Sequence, residues 1–335
     1  MSCAFIAYTI LLAAALLDFG LGDPWGWPHP VRWMGAYIQS LSNGFNYGQG
    51  WPVWGQRLGG ALLTLSLILG SALISWGVVA LGMTISPLLG WGIAVVGTAS
   101  GFAGRSLRDA AAEVLAPLAA SNLEGARQSL AKYVGRETAH LEAPEILRAV
   151  LETVSENTTD GMMAPLFYGA IATLIVPQLT PLPLVMAYKA ASTLDSMIGY
   201  REPPYTHWGW FAAKTDDVLT WLPCRWLVFL VALCSRQWQR VWQWCCQDAP
   251  KDPSPNSGWS ECAYAAAFGV RLGGTNIYRG TVKVKPFLGE PLHPIDQGTI
   301  IAALRLSRSL YLITLTATGG IVLVWHLVWH KVFSI

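Results

Sequence analysis

Long apolar runs almost bare of charge constrain this chain more than any other feature. A helix that crosses the hydrocarbon of a bilayer needs about 20 mostly apolar residues. Residues 3–21, 58–83 and 310–330 meet that length, and residues 86–102 are shorter but free of charge. The last of these is expected to pair with the span before it through Gly82-Met83-Thr84. In lipid the backbone must satisfy its own hydrogen bonds, which leaves helices as the simplest spanning element for runs of this length. The fold class expected is therefore all-α, a polytopic integral membrane protein. The first run has no basic residue ahead of it and no small-residue cleavage pattern after it, so it reads as a retained helix and not as a signal peptide.

Two further apolar stretches do not fit a plain span. Residues 162–186 are broken by Pro177, Pro181 and Pro183, and residues 218–234 carry Pro223 and Arg225. Proline lacks an N–H and ends or kinks helices, so both stretches are expected to be re-entrant or half-inserted. The polar segments 23–57, 104–161, 189–217 and 235–309 hold every Lys and Arg except Arg225 and Lys331. By the positive-inside rule all four face the cytoplasm of a cell (inner) membrane, as helical segments of one membrane-embedded domain over residues 1–335. Pro144 and the spacing of Ile146, Ala149, Val150 and Thr153 point to a helix inside 104–161.

Composition agrees with this. Charged residues make up 13% of the chain against 53% hydrophobic, where soluble domains run near a quarter charged. A net charge of +2 with no basic run leaves no electrostatic footprint for nucleic acid. The cysteines include no CxxC pair and read as reduced thiols.

Four polar clusters abut the apolar stretches. The first holds Asp23, His29 and Arg32 among prolines. The second is Glu152, Ser155, Glu156, Asn157 and Asp160, in which steps of four put three acids on one helical face. Like charges so placed repel unless a cation sits among them, and oxygen ligands of this kind suit Mg²⁺ bound jointly with phosphate. A solvated helix face is the plainer reading of the same spacing. The third cluster runs Lys189, Ser192, Thr193, Asp195 and Ser196, then Lys214, Asp216 and Asp217. The fourth is the turn Ser254, Asn256, Ser257 followed by Arg271 and Asn276, a turn of hydroxyls and amides fit for an anion or simply a loop. No Walker-type phosphate loop, GxGxxG, GxSxG or HExxH is present.

In this order the clusters resemble the adenosylcobinamide-phosphate synthase family, CobD or CbiB. The resemblance runs through Gly22-Asp23-Pro24…Pro28-His29-Pro30-Val31, Arg148 to Gly161, Ala164-Pro165-Leu166-Phe167-Tyr168, Tyr188-Lys189…Thr193 to Met197, Asp216-Asp217, Pro253 to Trp259 and Lys285-Pro286. Glu137, Thr220 and Cys224 depart from the pattern, where Asp, Asn and Ala are expected. The resemblance implies an ATP-dependent amide ligase of cobalamin biosynthesis. It would join adenosylcobyric acid to (R)-1-amino-2-propanol O-phosphate or ethanolamine phosphate, with ATP as co-substrate and Mg²⁺. On that reading Glu152, Glu156, Asp160 and Lys189 are catalytic. Glu156, Asp160, Asp216 and Asp217 hold Mg²⁺. Asp23, His29, Arg32, Asn157, Asp195, Lys214, Ser254, Asn256, Ser257, Arg271 and Asn276 meet substrates. Partners are the bilayer and other enzymes of the same pathway. A transporter of corrinoid or phosphorylated solutes, which would carry ionisable residues inside its spans, and a scaffold subunit are the alternatives.

Overall fold

The computed structural model describes residues 2–22, 26, 28–278 and 280–333. The helices are α1 (Cys3–Leu21), α2 (Pro30–Gly44), α3 (Val53–Ile85), α4 (Pro87–Ala99), α5 (Gly104–Ala119), α6 (Leu123–Leu130) and α7 (Ala143–Asn157). There follow α8 (Ala164–Ile175), α9 (Leu182–Ile198), α10 (Tyr205–Trp208), α11 (Trp210–Cys234), α12 (Trp238–Asp248) and α13 (Ser257–Phe268). An antiparallel hairpin, β1 (Leu272–Tyr278) and β2 (Thr281–Leu288), precedes α14 (Gln297–Phe333). Among the described residues five stretches are long and apolar enough to cross a membrane: Cys3–Leu21, Val53–Ile85, Pro87–Ala119, Trp210–Cys234 and Gln297–Val328. The chain is an all-α polytopic membrane protein in architecture, with one small hairpin inside a segment expected to be helical.

The chain forms two compact units where the sequence suggested one domain: 1–103 with 164–219 and 313–335, and 104–163 with 220–312. Each is assembled from separated pieces of sequence, so no composition shift marks a boundary. In the first unit α3 packs along α9 and α4, and α1 packs on α4 and α8. Leu63 and Leu67 of α3 share a core with Val185, Met186, Ala190 and Leu194 of α9. Gly60 is required here, because a Cβ on it would lie 1.8 Å from the Trp208 carbonyl oxygen. Ser86 ends the α3–α4 hairpin by accepting a hydrogen bond from the Leu89 N–H, two residues beyond the expected turn.

The proline-broken stretch 162–186 becomes the α8–α9 helical hairpin, with Leu166, Ala172, Leu182 and Val185 fully or nearly buried against protein. The chain turns back on itself at the prolines between the two helices. The stretch 218–234 differs from expectation, since α11 continues unbroken through Pro223. Pro223 deprives the Leu219 carbonyl of its helical donor, and the Tyr168 hydroxyl supplies one at 2.9 Å. The charge of Arg225 is likewise absorbed within the protein. Its guanidinium lies 5.0 Å from the Trp221 ring and 4.4 Å from the Trp259 ring and donates to the Pro255 carbonyl at 2.9 Å. The two features that argued against a span are each satisfied by neighbours.

The second unit carries α5 to α7, α12, α13 and the hairpin. α7 begins with a capping box between Glu142 and Glu145, has Pro144 in its first turn, and buries Ile146, Ala149, Val150 and Val154. After Asn157 the helix widens into a π-helical turn, Thr158–Met163. The Thr158 hydroxyl pins this turn through a buried chain to Ser307 and Tyr264, each contact 2.7 Å.

Candidate functional site

The second unit holds a ring of buried charges. Arg148 and Glu152 are one turn apart on α7 and pair at 2.8 Å. The other Glu152 oxygen accepts from Arg136 at 2.5 Å, and the Gly273 N–H donates to the first at 3.0 Å. The Asn276 side-chain oxygen accepts from Arg136 at 2.9 Å and from Arg148 at 3.1 Å, and Arg148 also donates to the Gly273 carbonyl at 2.7 Å. The hairpin can offer both backbone groups because Gly273 sits at φ +86°, beside a register shift in β1. A Cβ there would lie 2.0 Å from the Pro286 carbonyl oxygen. The loop bearing Arg136 is held to the same strand by the Glu137 N–H, which donates to the Ile277 carbonyl at 2.8 Å.

Glu152 is 1% exposed. Burial opposes its charge, but Arg136, Arg148 and Lys285 outweigh that and hold the carboxyl below the usual range. Both oxygens are engaged. Glu152 thus holds two arginines through its two oxygens.

A second group adjoins this ring. Glu261 of α13 is fully buried and accepts from Lys285 of β2 at 2.9 Å, while its second oxygen has no partner. Burial raises the Glu261 carboxyl to about 8, with Lys285 pulling it down and Glu152 and Glu156 adding to the rise. The burial of Lys285 opposes its charge, yet Glu261, Glu156 and Glu152 together keep it above its ordinary value. Lys285 is thus held in its charged form first by Glu261, with Glu156 and Glu152 adding to it.

Glu156, one turn beyond Glu152, is exposed. Its surroundings nonetheless desolvate it enough to raise its carboxyl, against the pull of Lys285 and with Glu152 and Asp252 adding to the rise. Glu156 is thus a carboxyl open at the surface that holds its proton more tightly than usual, a combination common at functional sites. The same unit leaves the Arg136 Nε, Asn276 Nδ2 and Asp252 Oδ2 atoms buried without partners.

The chain matches the family model described as CobD/Cbib protein over residues 11–307. It is 47% identical to the cobalamin biosynthesis protein CobD of Synechocystis sp. over 314 residues, 92% of this chain and 89% of that one. It is 39% identical to the cobalamin biosynthesis protein CbiB of Salmonella typhimurium over 300 residues, 88% and 90% of the two chains. A CobD protein of Photorhabdus laumondii is 39% identical over 322 residues, 93% and 94%. The chain belongs to the CobD/CbiB family. No solved structure matches it.

The family motifs quoted from the sequence divide between the two units. Glu152, Glu156, Asn157, Asp160, Ser254, Asn256, Ser257, Arg271 and Asn276 lie in the second, and His29, Arg32, Lys189, Asp195, Lys214, Asp216 and Asp217 in the first. Asp160 does not continue the row of Glu152 and Glu156, because it stands in the π-helical turn, where each residue rotates less than in an α-helix. In the Ser254 turn the hydroxyl accepts from the Asn256 and Ser257 N–H groups at 3.2 and 3.1 Å, and Asp252 accepts from the Ser254 N–H at 2.8 Å. The amides expected to meet an anion are thus already used by the turn itself. Arg271 is exposed, stacked 4.3 Å from the Phe287 ring.

In the first unit Lys189 and Asp195 are half-buried on α9, and Lys214 pairs with Asp217 at 2.8 Å on α11 beside half-buried Asp216. The His29 ring nitrogen Nδ1 accepts from the Val31 N–H at 3.3 Å and caps α2, and Arg32 is exposed. Asp23 lies outside the described residues. Among the described residues no three His, Cys, Asp or Glu side chains are grouped closely enough to hold a metal ion on their own. Arg136, Arg148, Glu261 and Lys285 were not picked out as site residues from the sequence. Their signal was present: Arg148 stands four residues before Glu152, and Lys285 lies in the alternating run Val282-Lys283-Val284-Lys285.

Proposed function

We propose that this chain acts in cobalamin biosynthesis as an ATP-dependent amide ligase, joining adenosylcobyric acid to (R)-1-amino-2-propanol O-phosphate or ethanolamine phosphate. Family membership supports the pathway. The observation that carries the chemistry is the accessible carboxyl of Glu156, whose proton affinity is raised although the charge of Lys285 opposes the rise. A carboxylate is a poor acyl donor, so the substrate carboxylate oxygen first takes the γ-phosphoryl group of ATP and releases ADP. The amine nitrogen then attacks the acyl carbon, phosphate leaves, and the proton lost by nitrogen goes to a general base. Glu156 suits that base, since its raised proton affinity brings it nearer to neutral pH. Lys285 suits the charge that develops on phosphate.

Mg²⁺ is commonly held by one or two carboxylates together with substrate phosphates. Glu156 and Asp160 in one unit, and Asp216 and Asp217 in the other, are carboxylates of that kind, and the metal would supply charge neutralisation there. Lys189, close to Asp195 in sequence, is assigned to phosphate. The amide ligase is favoured over a transporter because the densest group of buried charge, Glu152 with Arg136 and Arg148 and Glu261 with Lys285, lies outside the five candidate spans, which themselves hold Asp18 and the Lys214–Asp217 pair.

The test is an assay of purified protein for amide formation from adenosylcobyric acid and each amino-alcohol phosphate. Product that requires both ATP and Mg²⁺ is expected. Intact substrates with both amines, from a folded preparation, would refute the proposal.

A further inference from the structure

A cavity of about 700 Å³ opens in the first unit, walled by Trp51, Trp54, Leu58, Leu62, Leu63 and Trp208. Trp54, Leu58 and Leu62 follow one another at helical spacing along α3 and are exposed. At 1.5 Å per residue they descend roughly 12 Å from the first turn of that helix. The groove therefore runs along a candidate membrane span, from its start toward its middle. Its inner wall is fixed: Trp208 is buried, donates to the Ser42 hydroxyl at 3.0 Å, and meets the Trp51 ring edge-on at 6.3 Å.

The flank of the groove has the opposite character. Arg57, which falls between the wall residues Trp54 and Leu58 in sequence, is exposed with its guanidinium 4.9 Å from the Trp210 ring, and it forms no ion pair among the described residues. The start of α3 has no side-chain cap on Pro52 and no acid in its first turn. The first N–H groups there leave a partial positive charge that favours an anion. An apolar trough beneath two uncompensated positive features matches one kind of molecule, a lipid with a negative head.

We propose that this groove holds an acyl chain of one anionic membrane phospholipid, with its phosphate at Arg57 and the start of α3. The bilayer is the natural source, because the groove lies along a helix long and apolar enough to span it. The rigid tryptophan wall separates this site from ordinary lipid contact, which slides over a convex helix surface. The inference stands apart from the proposed ligase chemistry, and its test reads lipid, not product.

The experiment is native mass spectrometry of the purified full chain, titrated with phosphatidylglycerol and, separately, phosphatidylcholine. One phosphatidylglycerol should be retained per chain, in preference to phosphatidylcholine. Arg57→Gln should weaken phosphatidylglycerol about fivefold and leave phosphatidylcholine unchanged, the size expected for one basic side chain at a membrane surface. Leu62→Trp fills the trough and should abolish retention of both lipids. Trp54→Ala removes a part of the wall that is 70% exposed, so the fold should be kept, and it should weaken both. Equal retention of the two lipids by the wild type, or retention indifferent to Arg57→Gln and to the trough variants, would show lipid contact of the ordinary annular kind and overturn the proposal.

Discussion

Replacing Glu152 with Gln tests whether the buried ring is an anchor or part of the chemistry. The Glu152 carboxylate takes three donors, from Arg136, Arg148 and Gly273. A Gln at this position keeps one acceptor and points an NH₂ at groups that can only donate. Two guanidiniums, whose side chains are 8% and 14% exposed, then lose their counter-charge. Removing one partner of a buried pair costs about 3–5 kcal/mol. At about 2–4 °C per kcal/mol for domains of 150–250 residues, the melting temperature should fall by roughly 6–20 °C. Hydrogen exchange should quicken most in β1 and β2, which the ring ties to α7. The pH dependence carries a sign. Because the Glu152 carboxyl is held below the usual range, its stabilisation is complete above an ordinary Glu value of about 4.3 and is lost as pH falls through the lower folded value. The variant should therefore match the wild type only in strong acid. Replacing Glu152, Arg136 and Arg148 together with apolar residues should recover most of the stability, since exchanging a whole buried ion network is often close to neutral. A Glu152→Gln protein that melts within about 1 kcal/mol of the wild type, with unchanged exchange in the hairpin, would refute the anchor role.

Glu261→Gln should flatten the pH dependence of stability. With its carboxyl raised from 4.5 to about 8, the folded wild type binds the extra proton, so stability falls as pH rises between those values; thermal melts across that window check it. Gly273→Ala should abolish the folded hairpin, because φ +86° and the Pro286 carbonyl 2.0 Å away leave no room for a methyl; retained exchange protection in β1 and β2 would contradict this. Glu156→Gln and Asp160→Asn should each abolish amide formation with normal insertion and purification, and near-normal rates at saturating Mg²⁺ would remove both from the site. Lys189→Met should raise the KM for ATP or for the amino-alcohol phosphate, or lower kcat; unchanged kinetics would make Lys189 an interfacial lysine only.

Length and apolarity alone determined the membrane architecture, because the cost of unsatisfied backbone in hydrocarbon depends on little besides run length and charge. The prolines of 162–186 likewise announced a turn, since a missing N–H acts on its own helix wherever that helix lies. The motif order carried the family, and the start of α7 was visible in Pro144 and its neighbours. The tertiary structure alone decided the rest. Pro223 and Arg225 read as breakers until Tyr168, Trp221, Trp259 and Pro255 were brought beside them from elsewhere in the chain. Glu152 and Glu156 are identical in type and one turn apart. One is buried with both oxygens paired and the other is exposed with its proton affinity raised, because Arg136 and Gly273 close over the first and leave the second open. Local spacing can put charges on one helical face, but the partners that set their roles come also from a loop 16 residues back and a hairpin 121 positions on.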